Sequence, residues 1–316
     1  MQGAIPKPSA LQWQERYSSR LGISLTALSH AFDGLRLSVA CGGAGTLLYC
    51  CRQLLGTNRA DVLSADDSDP FPRQWMLQNF NPEHIFQNCD DGLHGGPCPC
   101  HPEVAHCEPH PVSEDIFGAS SPCVLFSNCN NLGKVRLVLP TIRFAGHPLH
   151  IISERIDIRE PFVYIGENID AVLKPYDVRL IQTPYEKDFV ARYPRPIDYI
   201  LYGRYNGKAI GLALKPAYHF AWWRGNAKSH MNTQMRARVF FLLVHKSKCS
   251  PHAFTHAVHV ASVALQDPAN QVTPVSELAA YVEQLGAPAL RPDPEQAHAI
   301  KIKARNQPQT QTHGHK

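Results

Sequence analysis

The sequence contains no apolar run near the roughly 20 residues that a membrane-spanning helix requires, and no charged stretch at its start leads into an apolar one. Neither a membrane span nor a secretory leader is expected. Regular cysteine spacing is also missing: the ten cysteines are scattered, several of them inside strand-like apolar runs. That argues against a disulfide framework and for a reducing intracellular compartment, nucleus or cytoplasm. Charge is sparse, at 18% of residues, and the net charge of +4 resides in Lys301, Lys303, Arg305 and Lys316, leaving residues 1–300 formally neutral. Periodicity is weak over residues 1–34, read as an extension, and over 287–316, read as a disordered tail ending QPQTQTHGHK.

What remains is a chain of 316 residues, 44% hydrophobic, with room for a sizeable globular core. Leu35–Ala40 is apolar and β-prone, CGGAGT (Cys41 to Thr46) is a glycine turn, and Leu47–Leu55 is a helical run. A strand, a glycine turn and a helix in that order begin a nucleotide-binding α/β unit. Ala60–Ala65 reads as a second strand ending in Asp66, Asp67 and Asp69. An acid in that position holds a ribose diol in such folds; the alternative role, helix N-capping, suits Asp69 before Pro70. A helix to about Phe80 and a short strand near His84–Gln87 follow. Further on, the pattern predicts a helix over roughly Leu132–Ile152, strands at Pro161–Ile165, Val178–Gln182 and Val239–His245, and one helix within 250–299, at Val275–Leu285. Strands alternating with helices predict an α/β protein with a mostly parallel sheet and helices on both faces.

Two stretches break the alternation. Residues 92–113 contain Cys98, Cys100, His101, His106 and Cys107, enough ligands for zinc, but their spacing fits no standard knuckle or finger. A plain surface loop is the first expectation there and zinc the second. Residues 187–238 hold ten Lys/Arg against Asp188 and Asp198, a local charge of +8, with nine interleaved aromatics that include Trp222 and Trp223 beside Arg224. That composition suits phosphate contact and base stacking; the competing reading is an ordinary solvated insertion, spanning 187–233, with its own small core.

The most suggestive stretch is DIFGASSPCVLFSN, Asp115 to Asn128. It places Cys123 just past a short apolar strand, Ile116–Ala119, where parallel sheets carry their reactive groups, and a cysteine becomes a nucleophile only as its thiolate. Cys98, after Gly-Gly-Pro, is a rival nucleophile. It lacks a preceding apolar strand, and it lies 69 residues before Glu167, where Cys123 lies 44 before it.

Together these stretches resemble the C5-cytosine DNA methyltransferase family over about Leu35 to Leu285. LRLSVACGGAGTL resembles the family's glycine turn, SADDSDPF its ribose-binding acid, IFQNCDD its adenine-side segment, SSPCVLFS its Pro-Cys loop, FVYIGENI its Glu-Asn strand and QMRARVFFL its Gln-x-Arg-x-Arg strand entry. The resemblance implies a Rossmann-like S-adenosylmethionine-dependent methyltransferase fold within residues 35–286. It implies cofactor contacts from Cys41, Gly43, Gly45, Asp67 (Asp66 being the runner-up), Asp90 and Pro122. It further implies Cys123 as covalent nucleophile, Glu167 at the base N3, Asn168 orienting the loop, Arg238 at the base carbonyl with Arg236 in support, and base or backbone contacts from Ser127 and Gln234. The implied substrate is cytosine in DNA, with RNA cytosine or a non-catalytic nucleic-acid- or partner-binding module as alternatives. The departures are Val39 for the family's acid, Cys41 for its Phe and Thr46 for its last glycine. QVTPVSELAAYVEQLG (Gln271 to Gly286) resembles the segment before the family's recognition domain, and the chain ends soon afterwards. A second polypeptide carrying target recognition is therefore an expected partner.

Overall fold

In a computed structural model of the chain, the described residues are 34–43, 45–55, 60–121, 148–177, 183–205, 207–226 and 237–266, with Gly22, Ser24, Arg179 and Ile181 singly. The elements are β1 (Leu35–Ala40), α1 (Thr46–Leu55), β2 (Ala60–Asp66), α2 (Pro70–Phe80), β3 (His84–Phe86), α3 (Cys89–His94) and β4 (Ile116–Ser120). They continue as α4 (Pro148–Arg159), β5 (Val163–Ile169), α5 (Pro184–Arg192), α6 (Pro196–Tyr202), the small hairpin β6–β7 (Arg204–Tyr205, Lys208–Ala209), β8 (Tyr218–Asn226), β9 (Ala237–His245) and α7 (Pro251–Gln266).

Seven strands form one sheet in the order β3-β2-β1-β4-β5-β9-β8. The first five run parallel, β9 is antiparallel to β5, and β8 is antiparallel to β9. The start of that order is the doubly wound one, in which ligands collect beyond the carboxyl ends of the strands, where the winding reverses beside β1. The sheet is mostly parallel and its faces are both covered, as strand periodicity requires of a fully buried sheet. Leu37 and Val39 of β1 pack with Leu48 of α1 and Met76 and Phe80 of α2. Ala40 points the other way and joins Phe117, Tyr164 and the Leu149, Ile152 and Ile156 stripe of α4. Gly118 faces α1 so closely that a Cβ there would sit 1.9 Å from Leu47 Cδ2, so the absent side chain sets the helix-to-strand distance.

Local chemistry fixes the helix ends. Asp69 accepts a hydrogen bond from the Phe71 amide and Pro70 opens α2, so this acid serves as the cap. Thr183 and Glu186 close a reciprocal capping box on α5. Several sequence expectations shift. The helix expected from Leu132 is described only from Pro148, and it runs to Arg159. The strand at Pro161–Ile165 starts later and continues through Glu167 and Asn168 to Ile169. Arg179 and Ile181, the described residues of 178–182, are not in a strand. Residues 250–299 contain α7, which the sequence reading placed nowhere, while Val275–Leu285 lies outside the described residues. Residues 218–226 of the expected insertion are β8, the outermost strand of the main sheet on that side.

Candidate functional site

A cavity of about 430 Å³ opens at the carboxyl ends of β1, β2 and β4, a size within the usual range of small-ligand sites. Cys41, Asp66, Asp67, Asp90 and Ser120 line it, with Pro148 and Ile151 of α4 closing one side. The glycine turn bends here because Gly43 and Gly45 have φ of +53° and +70°, a region that suits glycine. A Cβ on Gly43 would meet nothing within 4 Å, so its backbone faces open space. Cys41 adopts φ +50° without that licence. Its amide donates to Asp66 Oδ1 at 2.8 Å, and the Gly43 amide donates to Asp67 Oδ2 at 2.8 Å. Asp67 also accepts from the Asp69 amide, so it braces the turn from the cavity rim. Asp90 sits in the first turn of α3, on the far wall, and is mostly exposed. Cys89 lies beside it; its Sγ is 3.2 Å from Cys41 Sγ, and that contact together with burial pushes its thiol up.

Asp66 is fully buried, and burial raises its carboxyl to about 6 against the downward pull of Arg155 and the Cys41 amide. It belongs to a polar network beneath the cavity floor that nothing in the sequence pattern marks. Arg155 of α4 is 3% exposed and donates to Glu114 at 3.0 Å and Ser64 at 2.9 Å, with Asp66 Oδ2 at 3.8 Å. Its guanidinium also lies 4.5 Å over the Phe117 ring. Arg159 adds a second contact to Glu114 and donates to the Val112 carbonyl. Between them the two arginines bind α4 to the segment leading into β4.

The proposed base-binding residues gather at the next strand ends. Glu167 and Arg238 form an ion pair between β5 and β9, both partly exposed. Asn168 is buried, and its Nδ2 donates to Ser121 Oγ at 3.0 Å, two residues before Cys123. The β5–β9–β8 register sets Glu167, Phe240 and Trp223 in one row, with Trp223 stacked on Phe240. Trp222, its neighbour on the strand, faces the opposite side of the sheet, so the two tryptophans do not form one platform. Arg224 pairs with Asp170 at 2.5 Å. Pro122, Cys123, Ser127, Gln234 and Arg236 lie outside the described residues.

The basic, aromatic stretch is more self-satisfied than its composition implies. Arg192 pairs with Asp188, Arg195 with Asp198, and buried Lys215 with Asp157 and the Ser153 carbonyl. Phe189, Tyr193 and Tyr199 pack ring against ring, while Tyr202 is exposed. Cys98 is also removed from the cavity. It is buried against Phe86 and Cys107, which leaves it poorly placed as the rival nucleophile. Cys100 faces the Pro82 carbonyl and His106 is exposed beside Glu108, whereas His101 and Cys107 are within 3.3 Å of each other.

No protein-family model matches the chain, and no curated protein matches it. Among solved structures it is similar to a prophage-encoded DNA modification methyltransferase from E. coli, at 14% identity over 68% of this chain and 48% of that one, TM-score 0.39. It is similar also to the S. pombe Dnmt2 methyltransferase, at 12% identity over 67% and 50%, TM-score 0.35. A DNMT2 variant from Spodoptera frugiperda gives 11% identity over 69% and 52%, TM-score 0.39. The matches thus span about half the length of those structures. With its strand order and a glycine turn and acids around one cavity, the chain has a Rossmann-like α/β fold with a mostly parallel sheet.

Proposed function

We propose that the chain transfers a methyl group from S-adenosylmethionine to C5 of cytosine in DNA, through a covalent bond between Cys123 and C6 of the base. One observation carries the reading. Glu167 and Arg238, far apart in sequence, pair at one corner of the sheet, and Asn168, next to Glu167 but on the opposite face of β5, anchors Ser121, at the start of the Pro-Cys segment.

The cavity fits the cofactor's chemistry. Asp67 at the rim suits a ribose diol and Asp90 an adenine, and Cys41 opens the glycine turn onto the cavity. Asp66 Oδ2 is a buried acceptor without a hydrogen bond among the described residues. When bound, S-adenosylmethionine supplies an electrophilic methyl group on a sulfonium. The chain's own residues prepare the base to receive it. Cytosine C5 is a poor nucleophile, and addition of the Cys123 thiolate at C6 makes it enamine-like. Glu167 holds N3, where charge changes as the ring loses aromaticity, and Arg238 fixes the base carbonyl. Loss of the C5 proton and departure of the thiolate then restore the ring. In a duplex the base must first leave the stack, at a cost of a few kcal/mol. Trp223 and Lys187, Arg204 and Lys208, which have no ion pair among the described residues, are groups available to meet it.

The test is covalent trapping with S-adenosylmethionine and oligonucleotides that carry 5-fluorocytosine, whose fluorine blocks the final elimination. We expect a denaturation-resistant adduct with DNA that is lost in Cys123→Ser. An adduct with RNA alone would transfer the activity to RNA cytosine. No adduct with either polymer would overturn the enzymatic reading and leave a binding module.

A further inference from the structure

The strongest unassigned chemistry lies behind α3. His84 of β3 and Cys98, His101 and Cys107 of the following loop bring four ligand atoms within 4.8 Å of one another. His84 Nδ1 is 3.1 Å from Cys107 Sγ, and His101 Nδ1 is 3.3 Å from the same sulfur. Zinc bonds of about 2.0–2.1 Å to nitrogen and 2.3 Å to sulfur, set at tetrahedral angles, place ligand atoms about 3.3–3.8 Å apart. The cluster is therefore already near the required size. Both thiols are buried, and the two imidazoles are half-buried with centroids 4.9 Å apart.

The loop is built to hold these atoms in place. The His101 amide donates to the Cys98 carbonyl, closing a tight turn that brings two ligands together. Gly96 and Cys107 exchange backbone hydrogen bonds of 3.0 and 2.9 Å, and Gly95 at φ +90° allows the chain to enter that bridge. The Ile85 amide donates to Cys98 Sγ at 3.3 Å, the type of outer contact that thiolate ligands receive. Apolar support is slight, since this corner's buried cluster is Phe86 with the two thiols themselves. A loop with so small a core gains most from a staple.

We propose that His84, Cys98, His101 and Cys107 form a closed tetrahedral Zn²⁺ site that pins the loop at 95–113 to the start of β3. Two sulfurs and two imidazole nitrogens, with no oxygen ligand, select zinc over calcium or magnesium. Binding forms two Zn–S and two Zn–N bonds and releases two thiol protons to solvent, with no change of oxidation state. With all four positions supplied by protein the site is structural, without an open position for water. It also braces the strand that leads into Cys89 and Asp90 on the cavity wall. The ligand set differs from the one the local spacing offered, because His84 lies outside the cysteine-rich stretch, Cys100 packs beside Cys98 without joining the four atoms that lie within 4.8 Å of one another, and His106 is exposed beside Glu108.

The full chain, purified without chelator, should hold about one zinc per molecule by mass spectrometry of the metal. Cobalt exchanged into it should give the thiolate-to-metal charge-transfer band and the intense visible bands of tetrahedral Co²⁺. His84→Ala and Cys98→Ser should each lower zinc content several-fold, while Cys100→Ser and His106→Ala should retain it. A wild-type protein that contains no zinc and takes up cobalt without those bands would overturn the proposal, whatever the variants do. So would zinc retained in a His84→Ala/Cys98→Ser double variant, or lost equally in Cys100→Ser.

Discussion

Replacing Arg155 with methionine, Arg155→Met, tests the polar floor beneath the cavity. The substitution keeps most of the side-chain volume but leaves Asp66 without its cation and Glu114 with Arg159 alone. At 3.8 Å and an effective dielectric near 20, the Arg155–Asp66 attraction is about 4 kcal/mol, in line with the roughly 3–5 kcal/mol lost when a buried pair is broken from one side. The loss should depend on pH, and its sign follows from Asp66. Its folded-state carboxyl is raised to about 6 from 3.8, so its contribution is favourable below pH 4 and is lost as pH rises through 6. Removing Arg155 takes away a downward influence and raises that carboxyl further. Near pH 5, Asp66 is largely protonated with or without its partner, and the variant loses mainly the Glu114 and Ser64 contacts. Each pH unit above 6 then adds up to about 1.4 kcal/mol, or about 2–3 kcal/mol by pH 8. Urea unfolding followed by tryptophan fluorescence at pH 5 and pH 8 measures both values. A destabilisation below about 1 kcal/mol at both pH values, or one that does not grow with pH, would refute the reasoning.

Gly45→Ala places a methyl 2.5 Å from the Phe80 ring at φ +70°; backbone strain and overpacking together should cost roughly 2–4 kcal/mol, read as a lower melting temperature and weaker S-adenosylmethionine binding by calorimetry. Glu167→Gln breaks a partly exposed ion pair, so stability should change by less than about 1 kcal/mol while methyl transfer to DNA falls by at least a hundredfold in a tritium-incorporation assay.

The strands that define the fold are legible because each is an apolar run ended by a residue of different chemistry. Leu35–Ala40 stops at the glycine turn, Ala60–Asp66 at a run of acids, and Ile116–Ser120 before Ser-Pro. The α7 helix is not, since PHAFTHAVHVASVALQ mixes histidine with β-branched residues of weak helical preference. Its position comes from tertiary contacts such as Phe254 stacked on His219 of β8. Burial of charge is equally invisible in a pattern of residue types, and Arg155 and Glu114 resemble any surface pair until the sheet closes over them. Three members of the four-ligand cluster, Cys98, His101 and Cys107, are legible in the sequence, and the fourth is not, because motif spacing looks only along the chain while β3 supplies His84 from 14 residues upstream of Cys98. The excess of cations at 187–238 overstates the unpaired charge there, because Asp157, Asp170 and Glu167, the partners of Lys215, Arg224 and Arg238, lie outside that stretch.

The antiparallel ladder between β5 and β9 has one more implication. Ile169 and Arg238 face each other as a rung, so the polypeptide departs from the sheet and comes back to the point it left. However long the excursion between them, the gap from carboxylate to guanidinium is set by a single strand pairing. The exposed turn of the β6–β7 hairpin, at Gly207 and Lys208, can therefore be lengthened with that corner intact, whereas Phe189, Ile197, Ile200 and Leu212 are tied into the main core. Variation at that turn and constancy at the β5–β9 pair are, in this architecture, separable.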